Sequence, residues 1–384
     1  MIYYLCKYVL EPIEGFAWFR LASYISFRSI VAAITAFCLI LIFGNRLIRL
    51  LYLRGAKDTA QDYGIIDPES KKDTPTMGGI LVVGAVFIAI LLWSDPANPF
   101  VQWAVAAMLW FGAVGFIDDY LKIKHQDSRK GLSQVTKLGL QTLFAVVFML
   151  VYLSEPISPL SAERVKLFQG VLNVTALDYK FYLQVPFYKY PVLNLSWLYL
   201  PFGIFVILAI SNSVNFADGL DGLAIVPTSL TAGVYGLFAY IIGNSIHSRT
   251  LLFTHLVGSG ELSIILSALV GAGLGFLWFN AYPAQVFMGD TGSMALGGIL
   301  AVVAIMLKQE FLFILAGGIF VAEGASVLVQ EKIGIGILGR RIFHRAPIHH
   351  NFQHFGTAET KVVVRFWIVG IILTLLSLAT IKIR

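Results

Sequence analysis

The run Ser29-Ile-Val-Ala-Ala-Ile-Thr-Ala-Phe-Cys-Leu-Ile-Leu-Ile-Phe43 carries no charged side chain. It lies inside a longer apolar stretch, roughly 27–48. A helix that crosses the hydrocarbon core of a bilayer needs about 20 such residues. The run is too long for the apolar part of a cleavable signal, so it reads as a retained span. The rest of the chain repeats the pattern. Of 384 residues, 58% are hydrophobic and 13% charged, and mean hydropathy is +0.78. A soluble domain is roughly a quarter charged. The chain therefore reads as an all-α, polytopic integral membrane protein.

Ten spans are expected, at roughly 27–48, 77–94, 100–119, 137–154, 197–215, 222–243, 261–280, 291–308, 310–330 and 362–382. The second is short. The ninth carries Glu323 and several glycines, which predicts a broken or tilted helix. Within this single transmembrane domain, residues 1–26 read as an amphipathic lead-in. Residues 155–196 read as an extracytoplasmic loop able to form a small hairpin, and 331–361 as a cytoplasmic loop rich in histidine. Gly271-x-x-x-Gly275 predicts close helix packing.

Basic residues set the orientation. One set of loops holds Arg46, Arg49, Arg54, Lys71, Lys72, Lys122, Lys124, Lys130, Lys137, Arg340, Arg341 and Arg345. The other set holds mainly Arg164, Lys166, Lys180, Lys189, Arg249 and Lys308. The richer side is cytoplasmic, which puts both termini outside. The net charge of +6 is accounted for by this bias and gives no reason to expect nucleic acid. Cys6 and Cys38 have neither metal nor redox spacing.

With ten spans, every polar motif reaches the cytoplasmic face. Asp118-Asp119 ends the third span, where the helix dipole opposes negative charge. Adjacent helical residues point about 100° apart, so the two carboxylates should have different partners. A divalent cation or a lysine would offset their repulsion. Asn212, Asn215, Asp218 and Asp221 recur at spacing three, one stripe on a helical turn that two Asp-Gly steps then break. Asp290, in Phe287-Met-Gly-Asp-Thr-Gly-Ser293, precedes the eighth span. It is either an N-cap or a hard oxygen ligand for Mg²⁺ beside a helix N-terminus open to phosphate. His344, His349, His350 and His354 follow Arg340 and Arg341 in a loop without cysteine, which disfavours zinc and favours phosphate recognition. Glu323 reads equally as a functional acid within the membrane or as a kink residue.

Ser70-Lys-Lys-Asp-Thr-Pro-Thr-Met-Gly-Gly79, Asp118-Asp119, Asn212 to Gly222, Phe287 to Ser293 and Ala346-Pro-Ile-His-His350 together resemble the phospho-N-acetylmuramoyl-pentapeptide transferase family. This is a branch of the polyprenyl-phosphate N-acetylhexosamine-1-phosphate transferases. The resemblance runs from about residue 25 to 382. One departure is Asn351-Phe-Gln353, where the family usually has a third histidine and then Phe-Glu. A role that needs that imidazole or carboxylate is not carried over.

The resemblance implies Mg²⁺-assisted transfer of phospho-N-acetylmuramoyl-pentapeptide from its UDP conjugate to undecaprenyl phosphate in the bacterial inner membrane, with release of UMP. It implies Asp118, Asp119, Asp290 and His349 as catalytic residues, with Asp290 and Asp118 on the metal. It implies Lys72, Thr76, Asn212, Asn215, Asp218, Asp221, Phe287, Arg341 and His350 as substrate-binding. A homodimer is compatible with it. Two other readings stand beside this one: a related transferase using UDP-N-acetylglucosamine, and an ion-coupled transporter. Transporters place their sites near the midplane, often between repeats; here the polar groups lie at one face and no repeat is evident.

Overall fold

A computed structural model describes residues 1–10, 17–56, 74–127, 130–155, 157–167 and 174–383. The chain is mostly helical. The principal helices are α1 (Ile25–Leu53), α2 (Gly79–Trp93), α3 (Pro99–His125), α4 (Gln134–Leu153), α5 (Tyr199–Phe216) and α6 (Ile225–Gly243). They continue with α7 (Glu261–Asn280), α8 (Gly289–Met306), α9 (Leu312–Ala316), α10 (Gly318–Leu328), α11 (Ile348–His354) and α12 (Glu359–Ala379).

Eight of these, α1, α3 to α8 and α12, are long and apolar enough to cross a membrane. All ten expected segments fall on helices, but two fall short of a full span. The segment expected at 77–94 forms the 15-residue α2. The ninth is interrupted at Gly317 into α9 and α10, then winds into a π-helical stretch, Val329–Ile337. The expected break is present.

The core is built around α8. Every residue from Thr291 to Met306 is buried, and a helix that is apolar on all sides belongs in the interior. Glycines allow its neighbours to approach. A Cβ at Gly79 of α2 would overlap Gly292, and one at Gly115 of α3 would overlap the Asp290 backbone. The same device joins α1 to α7. A Cβ at Gly271 would overlap the Ala33 backbone, and one at Gly275 would press on Ile40, which accords with the small-residue packing expected there. The outer faces of α1 and α12 expose many large apolar side chains, among them Ile34, Ile42, Ile368 and Leu375, as lipid contact requires.

The two ends of the bundle differ. At one end, the loop after α4 forms the expected hairpin: Tyr182–Leu183 pairs antiparallel with Leu193–Asn194. Val165–Lys166 pairs with His255–Leu256. Beneath them Lys308 is fully buried, its Nζ 3.2 Å from Glu310 and 3.1 Å from the Lys180 carbonyl. The other end holds the C-termini of α3, α5 and α7 and the N-termini of α2, α4 and α8, and here the predicted motifs meet.

Candidate active site

α3 carries Asp118 and Asp119 into its last two turns before Gln126 ends the helix in a left-handed conformation. Their own helix dipole disfavours them there. Asp119 is compensated by a second helix. Its Oδ1 accepts from the Asp290 backbone N–H at 3.1 Å. Its Oδ2 accepts from the Thr291 N–H at 2.9 Å and the Thr291 hydroxyl at 2.7 Å. Asp119 thus caps α8 from a neighbouring helix, supplying acceptors to N–H groups that a helix start leaves unpaired. The α8 N-terminus expected to be open to phosphate is therefore already occupied at these two amides. Gly289 makes the approach possible, with φ of +73°, a region that glycine enters without steric penalty.

Asp118 points elsewhere, as expected for neighbours on a helix. Its Oδ1 accepts from the Leu132 N–H at 2.8 Å. Its Oδ2 lies 2.6 Å from Lys122 Nζ and 3.7 Å from Lys137 Nζ. Both acids are nearly inaccessible, at 2% and 4% exposure. Asp290 closes the group. Its Oδ2 accepts from Lys122 at 2.9 Å and from Lys137 at 2.6 Å. Its Oδ1 accepts from Asn215 Nδ2 at 2.7 Å, and that amide also reaches Ser293 at 2.8 Å.

Carboxylate oxygens of Asp118, Asp119 and Asp290 lie within 4.8 Å of one another. This donor set of hard oxygens suits a hard divalent cation. Each of the three is already held within the protein: Asp119 by α8, Asp118 by Leu132 and Lys122, and Asp290 by Lys122, Lys137 and Asn215. The cluster's three carboxylates face two ammonium groups, which leaves net negative charge for a cation to offset.

The Asp-Gly turn after α5 lies against this cluster. Desolvation, and then the charges of Asp290 and Asp119, push the Asp218 carboxyl up to about 8, against the opposing influence of the Gly289 backbone. Asp221 serves the fold: its Oδ2 accepts from the Ala284 N–H at 3.0 Å. The Phe287 N–H donates to the Pro75 carbonyl and the Gly78 N–H to the Phe287 carbonyl, each at 2.8 Å. These bonds set half-buried Phe287 and Thr76 side by side at the rim. Asn212 sits one turn deeper than Asn215 and faces α4, where its Nδ2 donates to Gln141 at 2.8 Å. Lys72 lies outside the described residues.

The histidine loop folds back onto the bundle. Gln330 Oε1 accepts from the N–H groups of Ile342 and Phe343, at 3.1 and 3.0 Å. Arg341 is exposed and donates to the His344 carbonyl. His350 Nδ1 is 2.9 Å from Gln353 Oε1, so the glutamine at the departure from the family pattern has a partner. His349 Nδ1 is 3.1 Å from Glu323 Oε2, and neither side chain is accessible. His349 lies against the turn after Asp218, where a Cβ at Gly219 would overlap its ring.

Lys122 is a site member that sequence reasoning passed over, although it was readable one turn after Asp118. Lys137 or Lys130 is expected from the sequence as a partner of Asp119; the packing of α4 on α5 instead carries Lys137 to Asp290, at 2.6 Å, with Asp118 at 3.7 Å.

Comparison with known proteins gives the same direction. Residues 101–308 match the model of glycosyl transferase family 4. Residues 71–83 match signature 1 of phospho-N-acetylmuramoyl-pentapeptide-transferase. A protein of that name from Desulfovibrio desulfuricans is 42% identical over 98% of this chain and 99% of its own length. Two from strains of Rhodopseudomonas palustris, under the same name, are each 40% identical over the full length of both chains. These similarities show that the chain belongs to the phospho-N-acetylmuramoyl-pentapeptide-transferase family.

Proposed function

We propose that this protein transfers phospho-N-acetylmuramoyl-pentapeptide from UDP-N-acetylmuramoyl-pentapeptide to undecaprenyl phosphate, releasing UMP, at the cytoplasmic face of the bacterial inner membrane. The observation that carries this reading is the cluster of Asp118, Asp119 and Asp290 with Lys122 and Lys137, in a chain that matches proteins of that name from end to end. The cluster's place at one end of the bundle favours an interfacial enzyme over an ion-coupled transporter.

Phosphoryl transfer is mostly positioning and neutralisation of charge, and the residues suit that work. Asp290 and Asp118 would hold Mg²⁺, which when bound polarises the diphosphate and neutralises charge on the leaving UMP. Lys122 and Lys137 hold those two carboxylates in place and add positive charge beside the reacting phosphates. Asp119 fixes the start of α8, and with it Asp290. The phosphate of the lipid acceptor has a second pKa of about 6 and is largely ionised at neutral pH, so no strong base is required. Phe287, Thr76, Asn215 and Asp218 border the space for the nucleotide, with Lys72 and Arg341 as further phosphate contacts. Ten crossings with both termini outside are part of the same proposal.

The test is UMP release by the detergent-solubilised protein with undecaprenyl phosphate and Mg²⁺. Release from UDP-N-acetylmuramoyl-pentapeptide and not from UDP-N-acetylglucosamine is expected. The reverse preference would assign the chain to the related transferases.

A further inference from the structure

Glu323 and His349 form a pair that the proposed chemistry does not use. Both side chains have no accessible surface. Glu323 Oε1 and His349 Nε2 are buried with no hydrogen-bond partner. A buried acid–imidazole pair with polar atoms left over is a weak stabiliser, because desolvation offsets the attraction. Apolar side chains would pack α10 against α11 at least as well.

What His349 touches is the turn after α5. A Cβ at Gly219 would overlap the Nε2 edge of the imidazole, so glycine is what lets the ring lie there. Gly219 follows Asp218, whose carboxyl feels the backbone of Gly289, the residue before Asp290. Glu323 itself lies just past the helix break at Gly317, beside Gly324, whose Cα faces Ser213 of α5. A line of contacts therefore runs from α10 through the imidazole to the turn that presents Asp218.

We propose that Glu323 and His349 are positioning residues. The carboxylate accepts from His349 Nδ1–H and fixes the ring, and the ring supports the 218–219 turn against the carboxylate cluster. His349 then acts through the backbone of Gly219 rather than by touching substrate. The inference rests on the reading that this turn borders the nucleotide site.

The experiment is steady-state UMP release by purified Glu323→Ala, His349→Ala, Gly219→Ala and the Glu323→Ala/His349→Ala double variant. Wild-type protein in the same assay tests the transferase reading independently. Each single variant is expected to raise KM for the UDP-linked substrate by about ten-fold, through a displaced binding turn, with KM for undecaprenyl phosphate unchanged. The double variant should be no worse than the more affected single one. Glu323→Gln and His349→Gln, which keep volume and a hydrogen-bonding group, should fold even where alanine does not and show the same shift in smaller measure. A loss in His349→Ala carried by kcat with KM intact would make His349 a direct catalytic group and overturn the proposal. Losses that multiply in the double variant would overturn it as well, as would wild-type kinetics in the glutamine variants.

Discussion

The carboxylate of Asp119, on α3, accepts from both the backbone N–H and the hydroxyl of Thr291, on α8, at 2.9 and 2.7 Å. One of two adjacent acids is thus spent on fixing a helix start, and the other is left to face the lysines. Replacement of a capping side chain costs about 1–2 kcal/mol. Asp119→Asn should lower the melting temperature and kcat together, with the midpoint of the Mg²⁺ titration close to wild type. A large shift of that midpoint at unchanged thermal stability would show Asp119 to be a metal ligand first.

Asp290 should behave differently. Its two oxygens meet two ammonium groups and one amide, in the arrangement that a cation would use. Even groups outside the direct ligand shell cost about 10–100-fold in metal affinity or activity when removed. Asp290→Asn should therefore bring turnover close to background and move the Mg²⁺ midpoint up by more than that. Wild-type turnover at low Mg²⁺ would refute the assignment.

Lys137 donates to Asp290 at 2.6 Å, and hydrogen bonds to charged groups contribute about 1.5–3 kcal/mol. Lys137→Met should lower kcat by about 10–100-fold while the protein still folds, since the side chain lies at the site margin on α4. An unchanged kcat would confine Lys137 to holding Asp290 in the absence of substrate.

That lysine also marks how far the sequence could be read. The apolar runs fixed the helices because a span has a length and a composition that nothing else satisfies. Asp118, Asp119 and Asp290 stood out because a carboxylate at a span end is costly without a partner. The Gly317 break was foreseeable from glycines around a buried acid. Which partner each group takes was not legible, because it depends on which helices pack together. Asn212 pairs with Gln141 rather than facing the cluster, and Lys180 lies buried under the loop in a segment that reads as exposed. Glu323 had two equal readings until its contact with His349 was seen.

Asp218 gives the protein a pH signature. Its folded carboxyl sits at about 8 against an ordinary 3.8, so the folded state holds its proton more tightly than the unfolded chain. Between those values the folded state binds more protons, and stability falls as pH rises. Without divalent cation, the melting temperature should drop from pH 6 to pH 9, with the loss complete above the folded value. Asp218→Asn should flatten that drop. An identical slope in variant and wild type would mean that another group carries it.

The last prediction fixes which face of the membrane the site uses. Lys124, just after the acidic pair on α3, and Arg340, in the loop before α11, are exposed, and Tyr188, 65% exposed, lies in the hairpin loop at the end away from the cluster. Lys180 would be a poor probe for that end, because its side chain is 4% accessible and bonded to Glu155. In a background with Cys6 and Cys38 replaced, cysteines at 124 and 340 should react with an impermeant maleimide only after the cell membrane is opened. A cysteine at 188 should react in spheroplasts without opening. The loops richer in Lys and Arg are expected on the side of the cluster, and the positive side faces the cytoplasm. Labelling of 124 from outside would invert the whole bundle and place the site away from a cytoplasmic nucleotide substrate. Labelling of 188 and 340 from the same side would remove one crossing between them, and the broken segment of α9 and α10 would then be a re-entrant hairpin rather than a span.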